Sequence, residues 1–261
     1  MIVTLGSVRG APGVSVSAML LAAAWPGDTP RVVLEADVDG GVIGARYGLG
    51  VDPGASALVA AARHQLGDPE QLIGEAARRV GDRAWVVPGP ESAVAALRLW
   101  SADRAATQVA AALAADIERV WIVDAGRVSS RAPVAALVAR SDLALVFTRH
   151  EPADLVQVPE RVADLANLAR RVGVVVVGTP DYGLDELREF CGVRHVWQVS
   201  AEPNAVALTQ RGWADRRLRR APVWRDLVTV AAELAELIGP VGPAAPAADL
   251  GGSLHLEVGD A

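Results

Sequence analysis

A mostly parallel, twisted β-sheet wrapped on both faces by helices is the architecture this sequence predicts. Two observations carry that expectation. Short aliphatic runs recur along the chain, and each is followed by a helix-like stretch, the alternation that builds parallel sheets through helical crossovers. The apolar content is 51% while aromatics are only 4%, so Ala, Val and Leu supply it, as in strands buried on both faces.

The strand-like runs are IVTLGS from Ile2, RVVLEA from Arg31, AWVVPG from Ala84, RVWIVDAG from Arg119, DLALVFT from Asp142, VGVVVVGT from Val172 and HVWQVS from His195. Helices are expected over 15–25, 55–63, 70–80, 93–116, 132–140, 153–171, 184–190 and 204–212, with a closing amphipathic helix over 224–238. No repeat or internal boundary interrupts this pattern, so residues 1–238 form one domain with right-handed crossovers. Residues 239–261 are rich in Pro, Gly and Ala at their start and read as a flexible tail.

Composition narrows the function. A single cysteine, Cys191, excludes an internal disulfide and a cysteine-built metal site, and fits a reducing cytoplasm. A net charge of −6 argues against general nucleic-acid binding over the whole surface. No apolar run approaches the roughly 18–20 residues of a membrane span, and MIVTLGSVRG lacks the charged region that opens a signal peptide. The four histidines, His64, His150, His195 and His255, show no ligand spacing. All 25 basic residues are arginine, so no lysine of this chain or of an identical partner can enter any site.

The stretch between the first strand and the first helix, VRGAPGVS over Val8–Ser15, has the position and glycines of a phosphate-binding loop. Such loops turn backbone N–H groups toward an anion at a helix N-terminus, with a lysine on the phosphates and a Ser/Thr on magnesium. Gly10, Gly13 and Ser15 fit that pattern; Val8 replaces a glycine and Val14 replaces the lysine. Taken alone the stretch fails the motif, and an ordinary β–α turn is the favoured reading. Further acids then gather at strand ends, where open α/β sheets bind ligands: Glu35, Asp37 and Asp39 in LEADVDGG, and Asp124 before Gly126 in IVDAG.

In order and spacing, SVRGAPGVS, VVLEADVDGG, VWIVDAG and SDLALVFTRHEPADL resemble the ParA/MinD group of P-loop ATPases over roughly residues 1–238. The resemblance implies a P-loop NTPase-like single domain that dimerises face to face around two ATP molecules. It puts Arg9 at the signature lysine that reaches the partner's nucleotide. Gly10, Ala11, Pro12 and Gly13 become the cradle, with Val14 at the loop lysine and Ser15 at the magnesium-binding hydroxyl. It makes Asp37 the aspartate that positions attacking water, Glu35 the preceding acid of the D-x-D pattern, and Asp124 the second metal position. Ala125–Arg131 becomes a γ-phosphate-sensing switch, and residues 177–179 lack the asparagine that reads adenine in relatives.

The implied cofactors are therefore ATP and Mg2+, held weakly, with hydrolysis slow or absent because the loop lysine is missing. The implied role is a switch in chromosome partitioning or spatial positioning, as a homodimer or as a heterodimer with a paralogue whose loop is intact. Arg211, Arg216, Arg217, Arg219 and Arg220, interleaved with Trp213 and Trp224, offer a surface for nonspecific DNA. The plainer reading of that cluster is a solvated face paired with Asp215 and Asp226. The acidic end, GSLHLEVGDA, does not suit an anionic bilayer, so no membrane partner is expected. The alternative to the switch is an interaction scaffold that keeps the fold, binds no nucleotide and docks a protein.

Overall fold

The computed structural model describes residues 1–10, 13–63, 69–81, 84–102 and 104–239. Ala11, Pro12, His64, His255 and residues 240–261 of the expected tail lie outside the described residues. One sheet contains β1 (Ile2–Ser7), β2 (Arg31–Glu35), β3 (Arg78–Gly81), β4 (Ala84–Val87), β5 (Val120–Arg127), β6 (Leu143–Arg149), β7 (Val172–Val177) and β8 (Val196–Val199). Its order is β3-β4-β2-β5-β1-β6-β7-β8. All neighbours pair in parallel except β3 with β4. Among the described residues no helix is long and apolar enough to cross a membrane.

The strict alternation of side chains along a strand builds two separate cores. Val32, Leu34, Trp121, Val123, Val146, Val174 and Val176 face one side, under helices that include Ala55–Arg63, Ala105–Ala115 and Val158–Ala166. Val3, Leu5, Val33, Ile122, Leu145, Phe147 and Val175 face the other, under Val14–Ala24 and Pro222–Ile238. The first of those two helices is covered on nearly every side, from Val16 through Ala22, because the closing helix lies against its outer surface. The unbroken apolar run Ala18–Ala24 is the expected composition for that buried position.

Several expected elements are corrected. The helix expected over 70–80 stops at Ala76, and Arg78–Gly81 returns as an antiparallel edge strand. Arg78 and Arg79 suit an edge, where charge discourages further pairing. The helix expected over 93–116 is two, Ala93–Ser101 and Ala105–Ala115, separated at Arg104, whose φ of 57° no α-helix accommodates. That expected over 153–171 divides into Pro152–Leu155 and Val158–Ala166, each with a proline in its first turn, where proline starts a helix without losing a bond. The one over 132–140 shortens to Ala135–Ala139. Ile43–Tyr47 and Arg216–Arg220 are short helices that the periodicity did not indicate.

At the amino edge of the sheet a buried polar knot closes the fold. The Asp116 carboxylate accepts from Arg119 Nη1 at 3.2 Å, Trp121 Nε1 at 3.0 Å and the Glu118 N–H at 3.1 Å. Asp116 and Arg119 are both buried. Breaking a buried ion pair on one side typically costs about 3–5 kcal/mol. Asp116→Ala is expected to lower unfolding stability by about that amount, read by urea denaturation; a loss below about 1 kcal/mol would contradict the assignment.

Candidate functional site

β1 stands between β5 and β6, with β2, β4 and β5 to one side and β6, β7 and β8 to the other. The chain thus reverses its direction of travel across the sheet beside β1, and ligands of open α/β sheets bind outside the carboxyl ends at such a point. A cleft of about 670 Å3 opens there. Its lining comes from the residues following β1, β2, β5, β6, β7 and β8, including Gly10, Asp37, Asp124, Arg149, Val177 and Ser200. The volume lies within the range of small-molecule sites, about 300–1,000 Å3.

The loop after β1 delivers the first helix to this cleft. Gly13 takes φ 85°, a left-handed conformation natural to glycine, and its carbonyl accepts the Ser17 N–H at 2.8 Å to start the helix. Among the described residues no side chain caps that helix, and no acid sits in its first turn. Its leading N–H groups are therefore available to an anion. Val14 does not take part through its side chain, which is 6% exposed and packs in the core beneath the cleft. Val8 carries no strain, since Arg104 is the only described non-glycine residue with positive φ.

Strand alternation brings Asp124 to Ser15. Val120 and Ile122 face the first helix, so two residues further along β5 Asp124 faces it too, at the level where the helix begins. Asp124 is fully buried; its Oδ1 accepts the Gly126 N–H at 3.1 Å, while Oδ2 has no hydrogen-bond partner. Burial pushes its pKa up to about 7, opposed by the nearby Ser15 hydroxyl and raised further by the Glu35 carboxyl. Asp37 lies directly against Gly126: a Cβ added to that glycine, whose φ is 59°, would stand 2.1 Å from the Asp37 carboxyl carbon. Burial raises the Asp37 pKa as well, against the Asp39 N–H that donates to its Oδ1 at 2.8 Å.

Glu35, expected beside Asp37 as the first acid of a D-x-D pair, has a different task. Its Oε1 accepts the N–H groups of Val42 and Ile43 at 2.6 and 2.8 Å, and its Oε2 accepts that of Gly89 at 2.9 Å. The carboxylate is buried and fastens the loops after β2 and β4 together. Gly41 and Gly89 pack against it so closely that a Cβ on Gly41 would stand 2.4 Å from Oε2. Glu35 is a brace behind the site.

The cations divide in a way the sequence did not indicate. Arg9 turns away from the cleft lining, with Nε donating to Gln157 Oε1 at 3.2 Å and Nη1 3.8 Å from Asp154. Arg46, Arg127, Arg149 and His150 line the cleft instead. His150, immediately after β6, sits so close to Gly178 that a Cβ there would fall 2.2 Å from its ring. The arginine cluster does not pair as expected. Asp215 caps the helix Arg216–Arg220 by accepting the Arg217 and Leu218 N–H groups, and Asp226 accepts the Ser200 N–H at 2.8 Å. Arg219 lies over the Trp224 ring at 5.7 Å.

The fold is that of solved ParA and MinD proteins, a P-loop NTPase-like sheet with helices on both faces. A ParA family ATPase from Chlorobium tepidum TLS superposes with a TM-score of 0.72 at 14% identity, covering 89% of this chain and 98% of its own. The septum site-determining protein MinD of Pyrococcus horikoshii OT3, in complex with Mg-ADP, gives 0.66 at 17% identity over 92% of this chain and 98% of its own. A Cyanothece McdA variant in complex with ATP gives 0.66 at 15% identity over 92% and 96%. No protein-family model and no curated protein sequence matches the chain.

The residues fit the metal and phosphate end of a nucleotide. Among the described residues no three His, Cys, Asp or Glu side chains form a metal-holding group. Magnesium, however, commonly takes one or two protein oxygens and draws the rest from phosphates and water. The partnerless Asp124 oxygen and the Ser15 hydroxyl meet that requirement. Because the folded Asp124 pKa of about 7 lies above its ordinary 3.8, the stability tied to its protonation is complete below about pH 4 and lost as pH rises through about 7. Relative to Asp124→Asn, the protein is expected to lose about 4 kcal/mol of unfolding free energy between pH 4 and pH 8. Urea denaturation of both at each pH reads this; parallel pH profiles would contradict it.

Proposed function

We propose that this chain is a nucleotide-binding switch of the ParA/MinD type, which holds Mg-ATP weakly and hydrolyses it slowly or not at all. The observation that carries this reading is the fully buried Asp124 carboxylate, with a partnerless oxygen beside Ser15 at the start of an uncapped helix. Burying a carboxylate is costly unless it is paired or meets a cation. When bound, magnesium neutralises phosphate charge. Ser15 and Asp124 would hold it, and Asp37 would accept a hydrogen bond from attacking water. The backbone around Gly10 and Gly13 would donate to the phosphates, and the lining from Val177 to Val206 would cover the base.

Slow chemistry follows from the loop. A buried charge partner lost from a phosphate typically costs about 2–5 kcal/mol, and position 14 carries an apolar core side chain instead of that charge. A partitioning or positioning role, through a homodimer or a mixed dimer with an intact paralogue in which Arg9 faces the partner's nucleotide, completes the proposal. Nonspecific DNA contact through Arg211, Arg216, Arg217, Arg219 and Arg220 belongs to the same proposal. The scaffold reading draws on one observation, the buried Val14.

Calorimetric titration decides between the two readings. Mg-ATP is expected to bind tighter than about 100 μM, near −5.5 kcal/mol, and Asp124→Ala is expected to abolish the heat. Absence of heat at millimolar Mg-ATP, with an unchanged melting temperature, would overturn the switch in favour of the scaffold.

A further inference from the structure

Arg127 is placed in the cleft by a break in the alternation of β5. Trp121, Val123 and Ala125 face one core, and Val120, Ile122 and Asp124 face the other side. Regular alternation would send Arg127 into the same core as Ala125 and would turn Val128 toward the cleft. Val128 instead packs in the core that holds Ala125, against Gly6, where a Cβ would stand 2.3 Å from its Cγ1. The phase slips at Gly126, whose φ is 59°, and the pairing with β1 records it: Leu5 lies opposite Asp124, but Ser7 lies opposite Arg127. One extra residue on β5 has been absorbed as a bulge, a device that re-aims side chains next to functional sites.

The re-aimed backbone is held firmly. The Val128 N–H donates to the Ser7 carbonyl at 3.2 Å, and the Ser7 hydroxyl donates to the Gly126 carbonyl at 3.3 Å. The Arg127 guanidinium then rests on the loop after β1: a Cβ on Gly10 would meet its Nη2 at 3.3 Å and its Nε at 3.4 Å. Its recorded charge partner is Asp39, with Nε 3.5 Å from Oδ2, and both side chains are more than half exposed. An exposed pair of that kind is held weakly. Arg46 and Arg149 also line the cleft, but the three atoms nearest a Cβ on Gly10 all belong to Arg127.

Resting on the nucleotide reading above, we propose that Arg127 is the residue that grips the phosphates in place of the loop lysine, and that Asp39 holds it in readiness until a phosphate displaces it. A guanidinium offers planar, bidentate donors suited to phosphate oxygens. The charge thus comes from the end of β5 instead of the first turn of the helix, within the same chain. Glycine at position 10 lets the guanidinium lie close to the loop backbone, where a Cβ would meet it tightly.

The test is calorimetry with two probes, Mg-ATP and inorganic tripolyphosphate, the second reporting phosphate contact without a base. Arg127→Ala is expected to weaken both by roughly ten- to a hundred-fold, with Arg127→Lys recovering part of the loss. Asp39→Ala is expected to tighten both a few-fold, and Arg98→Ala, an exposed arginine elsewhere, to change neither. Circular dichroism confirms that each variant is folded. If the parent binds Mg-ATP and Arg127→Ala binds it equally, this assignment is overturned and the nucleotide reading stands. If the parent binds only tripolyphosphate, in an Arg127-dependent way, the grip stands and the nucleotide reading falls. If it binds neither probe, both fall.

Discussion

A sheet covered by helices on both faces has little room for polar side chains, and none for charged ones, except where its strands end, and that constraint organises this molecule. Seven of the eight described strands run in one direction, so their carboxyl ends collect on one edge. There the backbone leaves the ladder, loops open, and the first helix turns its free N–H groups outward. The amino edge carries the opposite character, closed by the satisfied knot of Asp116, Arg119 and Trp121. The partnerless Asp124 oxygen lies on the carboxyl edge and the satisfied knot on the amino edge.

Within the carboxyl edge, small backbone departures decide which side chains meet. Glycine at 126 permits the left-handed turn that accommodates Asp37, donates to Asp124 and slips the alternation to present Arg127. A residue with a side chain at that position would collide with Asp37 and would be strained in that conformation. Glu35, two residues before Asp37, supplies the complementary brace by satisfying three backbone donors from separate loops. The acidic cluster is thus divided between Glu35, consumed by backbone donors, and Asp37 and Asp124, which line the cleft.

Much of this was legible in the sequence. Aliphatic runs in regular alternation with helical stretches indicated the parallel sheet, because burial on both faces leaves a strand no polar positions. Asp37 and Asp124 could be placed at strand ends for the same reason. The edge strand Arg78–Gly81 was hidden because four residues carrying two arginines have no apolar period. The breaks at Arg104 and before Val158 were hidden because alanine-rich and leucine-rich flanks continue the helical pattern through them. The tasks of Glu35 and Arg9 depend on loops distant in sequence, which periodicity does not report. Arg127 did leave a signal: a charged residue on the core phase of β5, followed by an apolar Val128 on the cleft phase, is the inverted polarity a bulge produces.

The edge beside β1 is proposed to take nucleotide phosphates on the backbone of Gly10 and Gly13, with magnesium on Ser15 and Asp124, without a lysine. Amide chemical-shift mapping of the 15N-labelled protein with Mg-ADP tests this most directly. The account predicts the largest shifts at Gly10, Gly13, Ser15 and Gly126, with smaller ones along the Val199–Val206 side of the cleft. An unperturbed spectrum at saturating Mg-ADP, or shifts confined to residues outside this edge, would contradict it.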